Sequence, residues 1–246
     1  MWWSASRAVR TPSRGEADAR LNVAAQPGPV EIALVNSHDF KSEKVIALEM
    51  GYRVQPHESL SIDVATFYNF YDDLRTFEPG TPFVETTPAP AHLVQPLVID
   101  NKMAGTSYGV EVAAKFQPIA GWRIQAAYTF LRLNLNPDSD SKDPAAESPE
   151  HESPRSQLYV RSSWDLPENL MVDVMPRYVG GLSSFDVAPY VELNARIAWR
   201  PWPNGEISLT GQNLLHRSHL EFRPSLVFTD ASQVERGGYL MMSVRF

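Results

Sequence analysis

Hydrophobic and polar residues alternate one by one along most of this chain. Between residues 60 and 71, one set of alternate positions is mainly apolar and consists of Leu60, Ile62, Val64, Thr66, Tyr68 and Phe70. The intervening set is more polar and consists of Ser61, Asp63, Ala65, Phe67, Asn69 and Tyr71. Because successive side chains of a strand point to opposite sides of a sheet, this period of two predicts a β-strand with one apolar face.

The same alternation recurs at intervals along the sequence. It is clear over residues 108–117, 122–131, 170–175, 191–200 and 240–246, and weaker over residues 2–9. There are about ten such segments, whereas helical spacing is hard to find. No change in composition marks a boundary, so the pattern predicts one all-β domain over residues 1–246.

The connections between these segments alternate between short and long. Short connections rich in turn-forming residues cover residues 55–58, 117–121, 166–169 and 201–205. Longer, polar and proline-rich stretches cover residues 11–28, 77–96, 137–154 and 215–236. The connection near residues 180–186 is short although it falls on the long side. This asymmetry is typical of outer-membrane barrels, which have turns at one end and loops at the other.

The two faces of the strands also favour a barrel in a lipid bilayer. Many segments reach the roughly 9–11 residues that a tilted strand needs to cross a membrane, against about 5–6 in an average strand. Aromatic residues near strand ends on the apolar face are typical of interfacial girdles: Tyr52, Tyr68, Phe70, Tyr108, Phe116, Trp122, Tyr128, Phe130, Trp164, Tyr178 and Trp199. The opposite face carries Asp63, Glu111, Lys115, Arg123, Arg161, Asp173, Arg177, Glu192, Arg196 and Arg245. We therefore predict an antiparallel up-and-down transmembrane β-barrel; the alternative is a sandwich with a solvated polar face.

Composition narrows the function classes further. The net charge of -7 argues against a nucleic-acid partner, because binding phosphates needs concentrated Lys and Arg. The absence of Cys excludes disulfides, thiolate metal sites and a cysteine nucleophile, but leaves the compartment open. No apolar stretch approaches the roughly 18 residues of a membrane helix.

The first residues do not form a signal peptide, because Met1 to Arg7 lack a basic segment followed by an apolar one. Either the protein is cytoplasmic, or the sequence begins inside a longer protein.

Several strings, in order along the chain, resemble TonB-dependent outer-membrane receptors. Residues 4–13 resemble the S-R-A-x-R-T-P-S segment of these receptors, and residues 41–53 resemble P-E-x-S-x-x-x-E-L-G-Y-R, with Lys41 and Ser42 in place of Pro-Glu. Residues 67–74 are similar to F-Y-N-x-Y-D-D-L, and residues 101–111 to N-x-x-x-G-x-x-Y-G-x-E. Residues 211–215 resemble the end of a late strand, with His216 where Asp is usual. The chain ends in Val244-Arg245-Phe246, like barrels whose terminal Phe is read by the barrel-assembly machinery.

The resemblance implies that residues 1–246 are the C-terminal part of a 22-stranded receptor barrel in the outer membrane. Its N-terminal plug, energy-coupling box and signal peptide would then lie upstream, which accounts for the unusual start. The implied function is energised uptake of a scarce ligand, such as a ferric siderophore, haem, cobalamin or an oligosaccharide. TonB would act through the missing plug, so we expect no transport by this part alone.

The sequence assigns no catalytic, cofactor-binding or metal-ligating residue. His216 and His219 could form a metal pair, but no carboxylate obviously completes the set, so surface histidines are favoured. The acidic loop could bind Ca²⁺, but its carboxylates lack the regular D-x-D-x-D-G spacing, so a solvated loop is favoured. Its members are Asp138, Asp140, Asp143, Glu147, Glu150 and Glu152. Asp72 and Asp73 should point to opposite faces and share no site.

Two further groups remain open. Glu111, Lys115 and Arg123 share the charged face and are expected to form an interior network or to contact the plug. The stretch 77–96 is expected to carry ligand recognition as a region.

Two other functions compete with the receptor. A small barrel enzyme, such as a protease or lipase, would need a catalytic set near the rim, and the sequence has no G-x-S-x-G elbow. A passive porin-like channel or adhesin would need closure within this chain and its own signal peptide.

Overall fold

The computed structural model describes residues 1–18, 20–26, 30–223 and 230–245, and it consists mainly of β-strands. Its strands are β1 (Trp2–Arg10), β2 (Arg20–Gln26), β3 (Val30–Val35), β4 (Glu43–His57), β5 (Leu60–Pro79), β6 (Phe83–Glu85), β7 (His92–Ile119), β8 (Trp122–Pro137), β9 (Ser156–Leu166), β10 (Leu170–Val179), β11 (Tyr190–Trp202), β12 (Gly205–Gln212), β13 (Ser218–Leu220), β14 (Gln233–Glu235) and β15 (Gly237–Val244). A short helix, α1 (Arg14–Asp18), and two 3-10 turns (Ser148–His151 and Ser183–Phe185) complete the described elements. None of the described helices is long and apolar enough to cross a membrane.

Ten strands form one antiparallel meander, in the order β1-β4-β5-β7-β8-β9-β10-β11-β12-β15. Each strand pairs with the next in this order, as expected of an up-and-down sheet. The central strands are long, with 15 residues in β4, 20 in β5, 28 in β7 and 16 in β8. The predicted fold class is therefore confirmed.

Short turns lie at one end of the sheet, which we call the turn end, and the longer connections lie at the other, the loop end. The four turns join β4 to β5, β7 to β8, β9 to β10 and β11 to β12. Gly121 and Asn169 have positive φ, which tight turns require and which Gly and Asn adopt at low cost. The predicted alternation of short and long connections is confirmed.

The register confirms that the two predicted faces are distinct. Tyr52, Tyr128 and Tyr178 lie in one row across the sheet, and all three side chains are exposed. Asp63, Arg177 and Glu192 share the next row along the strands. Adjacent rows point to opposite sides, so one face is apolar and exposed while the other carries the charges. We call these the apolar face and the charged face.

Two of the predicted loops contain more regular structure than expected. Residues 11–28 include α1 and β2, while residues 77–96 include the end of β5, all of β6 and the start of β7. β3 pairs in parallel with β7, β2 pairs with β3, and β6 pairs with β7 on residues 92–94. Pairing with the extension of β7 satisfies backbone groups that an irregular loop would leave to water. We call β2, β3, β6 and residues 92–98 of β7 the loop-end layer.

The ends of the meander remain separate edges. Among the residues that the structure describes, β1 pairs only with β4, and β15 pairs only with β12. For these residues the sheet does not close into a ten-stranded barrel, which agrees with the resemblance to part of a larger barrel. Phe246, on which the prediction about the assembly machinery depends, lies outside the described residues.

Candidate functional site: the charged face and its loops

A buried carboxylate organises the charged face toward the turn end. Asp173 on β10 is fully buried and lies in one row with Arg123, Ser163 and Arg196. One of its oxygens accepts hydrogen bonds from Ser163 and from Arg161, whose Nε is 3.0 Å away. The other oxygen is 3.4 Å from Nη1 of Arg196. A buried charge must be paired to be tolerated, and here two guanidinium groups pair it.

Further ion pairs extend this network toward the turns. Arg196 also donates to Glu206 on β12, which accepts from Nε of Arg200 at 2.9 Å. Arg123 donates to both oxygens of Asp165 across the β8–β9 pair. These two sets of ion pairs place charges of both signs on the charged face from β8 to β12.

A second network lies nearer the loop end and ties a loop to the sheet. Nη2 of Arg177 is 3.0 Å from Glu192 on β11 and 2.7 Å from Glu221, which follows β13. The hydroxyl of Tyr190 donates to the same Glu221 oxygen at 2.8 Å, and Nε2 of His219 lies 3.2 Å from it. The segment that carries His219 and Glu221 is therefore held against the charged face.

A third network anchors α1. Arg10 on β1 donates to both oxygens of Glu16, at 3.0 and 2.9 Å, and Arg75 on β5 donates to one of them at 2.8 Å. The backbone N–H of Ser13 donates to Glu16, while that of Glu16 donates to the Ser13 hydroxyl, which is the reciprocal pattern of a capping box. A helix of one turn is thereby fixed between two strands of the sheet.

This third network predicts an acid-sensitive segment. The Arg10 guanidinium lowers the pKa of Glu16 from 4.5 to about 2, although burial alone would raise it. A lowered carboxyl pKa contributes stability above the unfolded value, and that stability is lost as the pH falls from 4.5 toward 2. Because Arg10 is half exposed, we expect the loss in the opening free energy of α1 to be only about 1 kcal/mol. Hydrogen exchange of the amides of residues 13–17 at pH 5 and pH 2.5 measures it.

The matched controls for that measurement are Glu16→Gln and Glu58→Gln. Glu16→Gln should remove the pH dependence, while Glu58→Gln, in an exposed turn, should leave it unchanged. Equal pH dependence in the Glu16→Gln variant and the unmodified chain would contradict the assignment.

The predicted network of Glu111, Lys115 and Arg123 does not form among the described residues. Arg123 pairs with Asp165 instead, and neither Glu111 nor Lys115 has an ion-pair partner within 4 Å in this part of the chain. The physical reason is register, because Glu111 lies opposite Ala65 and Thr129, which carry no charge.

The prediction for Asp72 and Asp73 needs correction. Asp73 has a positive φ of 55°, and the β5–β7 register shifts between Tyr71 and Leu74. This irregularity breaks the alternation on which the prediction relied. Both carboxylates therefore approach Nζ of Lys44, which forms an ion pair with Asp73 and lies 3.9 Å from Asp72.

Three carboxylates of the acidic loop each contact a different group of the sheet. Asp143 accepts the backbone N–H of Phe77 at 2.9 Å, Asp140 pairs with Lys102 at 2.9 Å, and Glu150 accepts the N–H of Leu135. Ala146 from the same loop packs against Met103 and Leu135. These contacts hold the loop to the sheet.

Among the described residues, two groups of side chains converge as metal ligands could. One consists of Glu192, His219 and Glu221, and the other of Glu31, Glu85 and His92. The expectation of surface histidines is wrong for His219, because its side chain is only 8% exposed and is approached by Glu192 of β11 and by Glu221. The second group was missed because its members lie on three different strands, and the sequence carried no signal for their approach.

A comparison with known proteins bears on the whole arrangement. A family model described as TonB dependent receptor-like, beta-barrel matches residues 2–214. The fold is similar to that of the siderophore receptor PirA from Acinetobacter baumannii, with a TM-score of 0.70 and 16% identity over 99% of this chain and 38% of that one. It is also similar to the copper transporter OprC, with a TM-score of 0.67 and 15% identity over 99% of this chain and 38% of that one. A mutant of the ferric enterobactin receptor PfeA from Pseudomonas aeruginosa has a TM-score of 0.69 and 14% identity over 98% of this chain and 37% of its own. No curated protein matches the sequence.

Proposed function

Because this chain belongs to the TonB-dependent receptor-like β-barrel family, we propose that it is the C-terminal part of the barrel of an outer-membrane receptor for energised ligand uptake. The observation that carries the proposal is the family match over residues 2–214. The chain spans 38% of the length of the PirA and OprC structures that it resembles. We therefore assign residues 1–246 to one portion of a longer barrel.

The geometry supports a role in lining a polar interior. The apolar face is exposed, as a surface facing lipid must be, and the opposite face carries buried and half-buried charges. A hydrated or plugged interior solvates such charges, whereas the core of a sandwich would not. The loops at the loop end fold onto this charged face, where they can contact a ligand that enters from outside.

The proposed ligand is a scarce chelate such as a ferric siderophore. The structures similar to this chain include proteins described as a siderophore receptor, a ferric enterobactin receptor and a copper transporter. The partners of the proposed function are the lipid bilayer, TonB acting through a plug, and the assembly machinery acting on Phe246. Catalysis has no part in this proposal.

Uptake by intact cells tests the proposal. Cells that lack the locus are compared with complemented cells under iron limitation, with radiolabelled iron supplied as several different chelates. We expect the deletion to abolish uptake of one chelate class and the restored locus to recover it. We also expect an uncoupler of the proton-motive force to stop that uptake in the complemented cells.

The alternative functions predict other results. A porin-like channel would pass small solutes in the presence of the uncoupler. A barrel hydrolase would show turnover that a single His substitution abolishes. Either outcome, or DNA upstream of Met1 that encodes no in-frame plug, would count against the receptor.

A further inference from the structure

Three strands of the loop-end layer bring one imidazole and two carboxylates together. His92 is the first residue of β7 and lies directly opposite Glu85 of β6, while Glu31 lies on β3, on the other side of β7. Nε2 of His92 is 3.3 Å from one oxygen of Glu31 and 3.5 Å from one oxygen of Glu85. The His92 side chain is only 12% exposed, whereas the side chains of Glu31 and Glu85 remain partly open to solvent.

The other ring nitrogen of His92 fixes its tautomer. Nδ1 lies 3.0 Å from the carbonyl oxygen of Pro90, which can only accept a hydrogen bond. Nδ1 must therefore carry the proton in the neutral ring, and Nε2 presents its lone pair to the two carboxylates. A histidine that donates one N–H to a backbone carbonyl while its second nitrogen faces outward has the arrangement of a metal ligand.

Nε2 has no hydrogen-bond partner among the described residues, although it is buried. A lone pair that faces two carboxylate oxygens is repelled by both, so the group needs a cation between these atoms. A proton on Nε2 satisfies at most one oxygen well, and a hydrogen bond of this kind is shorter, at about 2.7–2.9 Å. Four ligands at 2.0–2.1 Å around a tetrahedral ion lie about 3.4 Å from one another. The observed separations of 3.3 and 3.5 Å match that spacing.

The charges of the group also fit a cation. Arg20 of β2 donates to both oxygens of Glu85, and this contact lowers the pKa of that carboxyl. Arg20 is also 4.0 Å from Glu31, so the same guanidinium compensates Glu31 only weakly. The two carboxylates and one guanidinium carry a net charge of minus one, which a bound cation would balance.

We propose that His92, Glu31 and Glu85 bind a divalent transition-metal ion of the zinc or copper type, which joins β3 to β6 and β7. One imidazole and carboxylate oxygens suit these ions, whereas Ca²⁺ and Mg²⁺ need about six or more oxygen ligands. The ion is a resident of the loop-end layer, and the site stands independently of the ligand that the receptor takes up. Water completes its coordination.

In the other group, which consists of Glu192, His219 and Glu221, the atoms that face one another already have hydrogen-bond partners. There Nε2 of His219 is within hydrogen-bond distance of Glu221, and the carboxylates already accept from Arg177, Tyr190 and Asn194. Nδ1 of His219 is buried without a partner among the described residues, but the ring nitrogen that faces the carboxylates is already hydrogen-bonded, so this group supplies a matched control.

Zinc binding to the full chain in detergent tests the proposal. Binding of ZnCl₂ is measured by competition with a chromophoric chelator, on preparations whose circular dichroism matches that of the unmodified chain. We expect one site, weakened at least about tenfold by His92→Gln and by Glu31→Gln, and unchanged by His219→Gln. Co²⁺ in this site should give the intense visible absorption of tetrahedral rather than octahedral coordination.

The Arg20→Gln substitution is expected to increase the affinity for zinc. It removes the guanidinium that competes for Glu85, so zinc should bind at least about threefold more tightly. Because misfolding would weaken binding, an increase in affinity cannot result from it. Equal zinc affinity in His92→Gln and the unmodified chain, or weaker binding in Arg20→Gln, would overturn the proposal. So would an octahedral Co²⁺ spectrum or the absence of binding.

Discussion

Replacement of Gly109 by valine will prevent the central strands from pairing as they do in the native sheet. Gly109 lies on β7 between Phe67 of β5 and Leu131 of β8. A Cβ atom at this position would clash with the backbone oxygen of Phe130 and would lie only 2.6 Å from the Phe67 ring. A side-chain ring can rotate away, but a ladder carbonyl cannot move without breaking hydrogen bonds. We expect a loss of about 3 kcal/mol or more in the free energy of unfolding.

Urea titration in detergent measures this loss, and the mobility of unheated samples on SDS gels reports the folded fraction. Gly237→Val is the matched control, because a Cβ atom at Gly237 of β15 meets nothing within 4 Å. Both variants add the same side chain to a strand. If they unfold at the same urea concentration, the close approach at Gly109 has no energetic importance.

Replacement of Asp173 by asparagine should produce the second large effect. The change preserves shape but removes the charge that pairs Arg161 and Arg196. Breaking a buried ion pair costs about 3–5 kcal/mol, and since both arginines are partly exposed we expect about 2–3 kcal/mol here. Arg196 keeps its contact with Glu206, which limits the loss.

Asp63→Asn provides the comparison for Asp173. Asp63 pairs with Arg53, whose side chain is 76% exposed, so that substitution should cost less than about 1 kcal/mol. The measurement is again the urea midpoint of the chain in detergent. A difference below about 0.5 kcal/mol between the two variants would show that Asp173 has no special role.

Some of the charged-face architecture follows from strand periodicity. The alternation around Asp63 and Glu111 correctly predicted which side chains share a face, because period two is a property of any extended chain. It could not predict which charges meet. Arg123 pairs with Asp165 rather than with Glu111, because partners across a sheet depend on register, and register is a property of two strands together.

The candidate metal site also could not be predicted from the sequence, because it depends on strand pairing. The parallel pairing of β3 with β7 brings Glu31 close to Glu85 and His92. No local pattern in the sequence predicts this pairing. The irregularity at Asp73 is a further case, because its positive φ accompanies a shift in the register between β5 and β7.

The sequence by itself determined most strands of the meander, their two faces, the asymmetry of turns and loops, and the motifs of the receptor family. These features depend on short-range periodicity and on the residues that form turns, so each can be recognised within a few residues. Only the tertiary structure decided the register, the ion pairs of Asp173 and Arg177, the loop-end layer and the convergence on His92. Those depend on residues far apart in the chain, whose positions are set by hydrogen bonding between strands rather than by either strand alone.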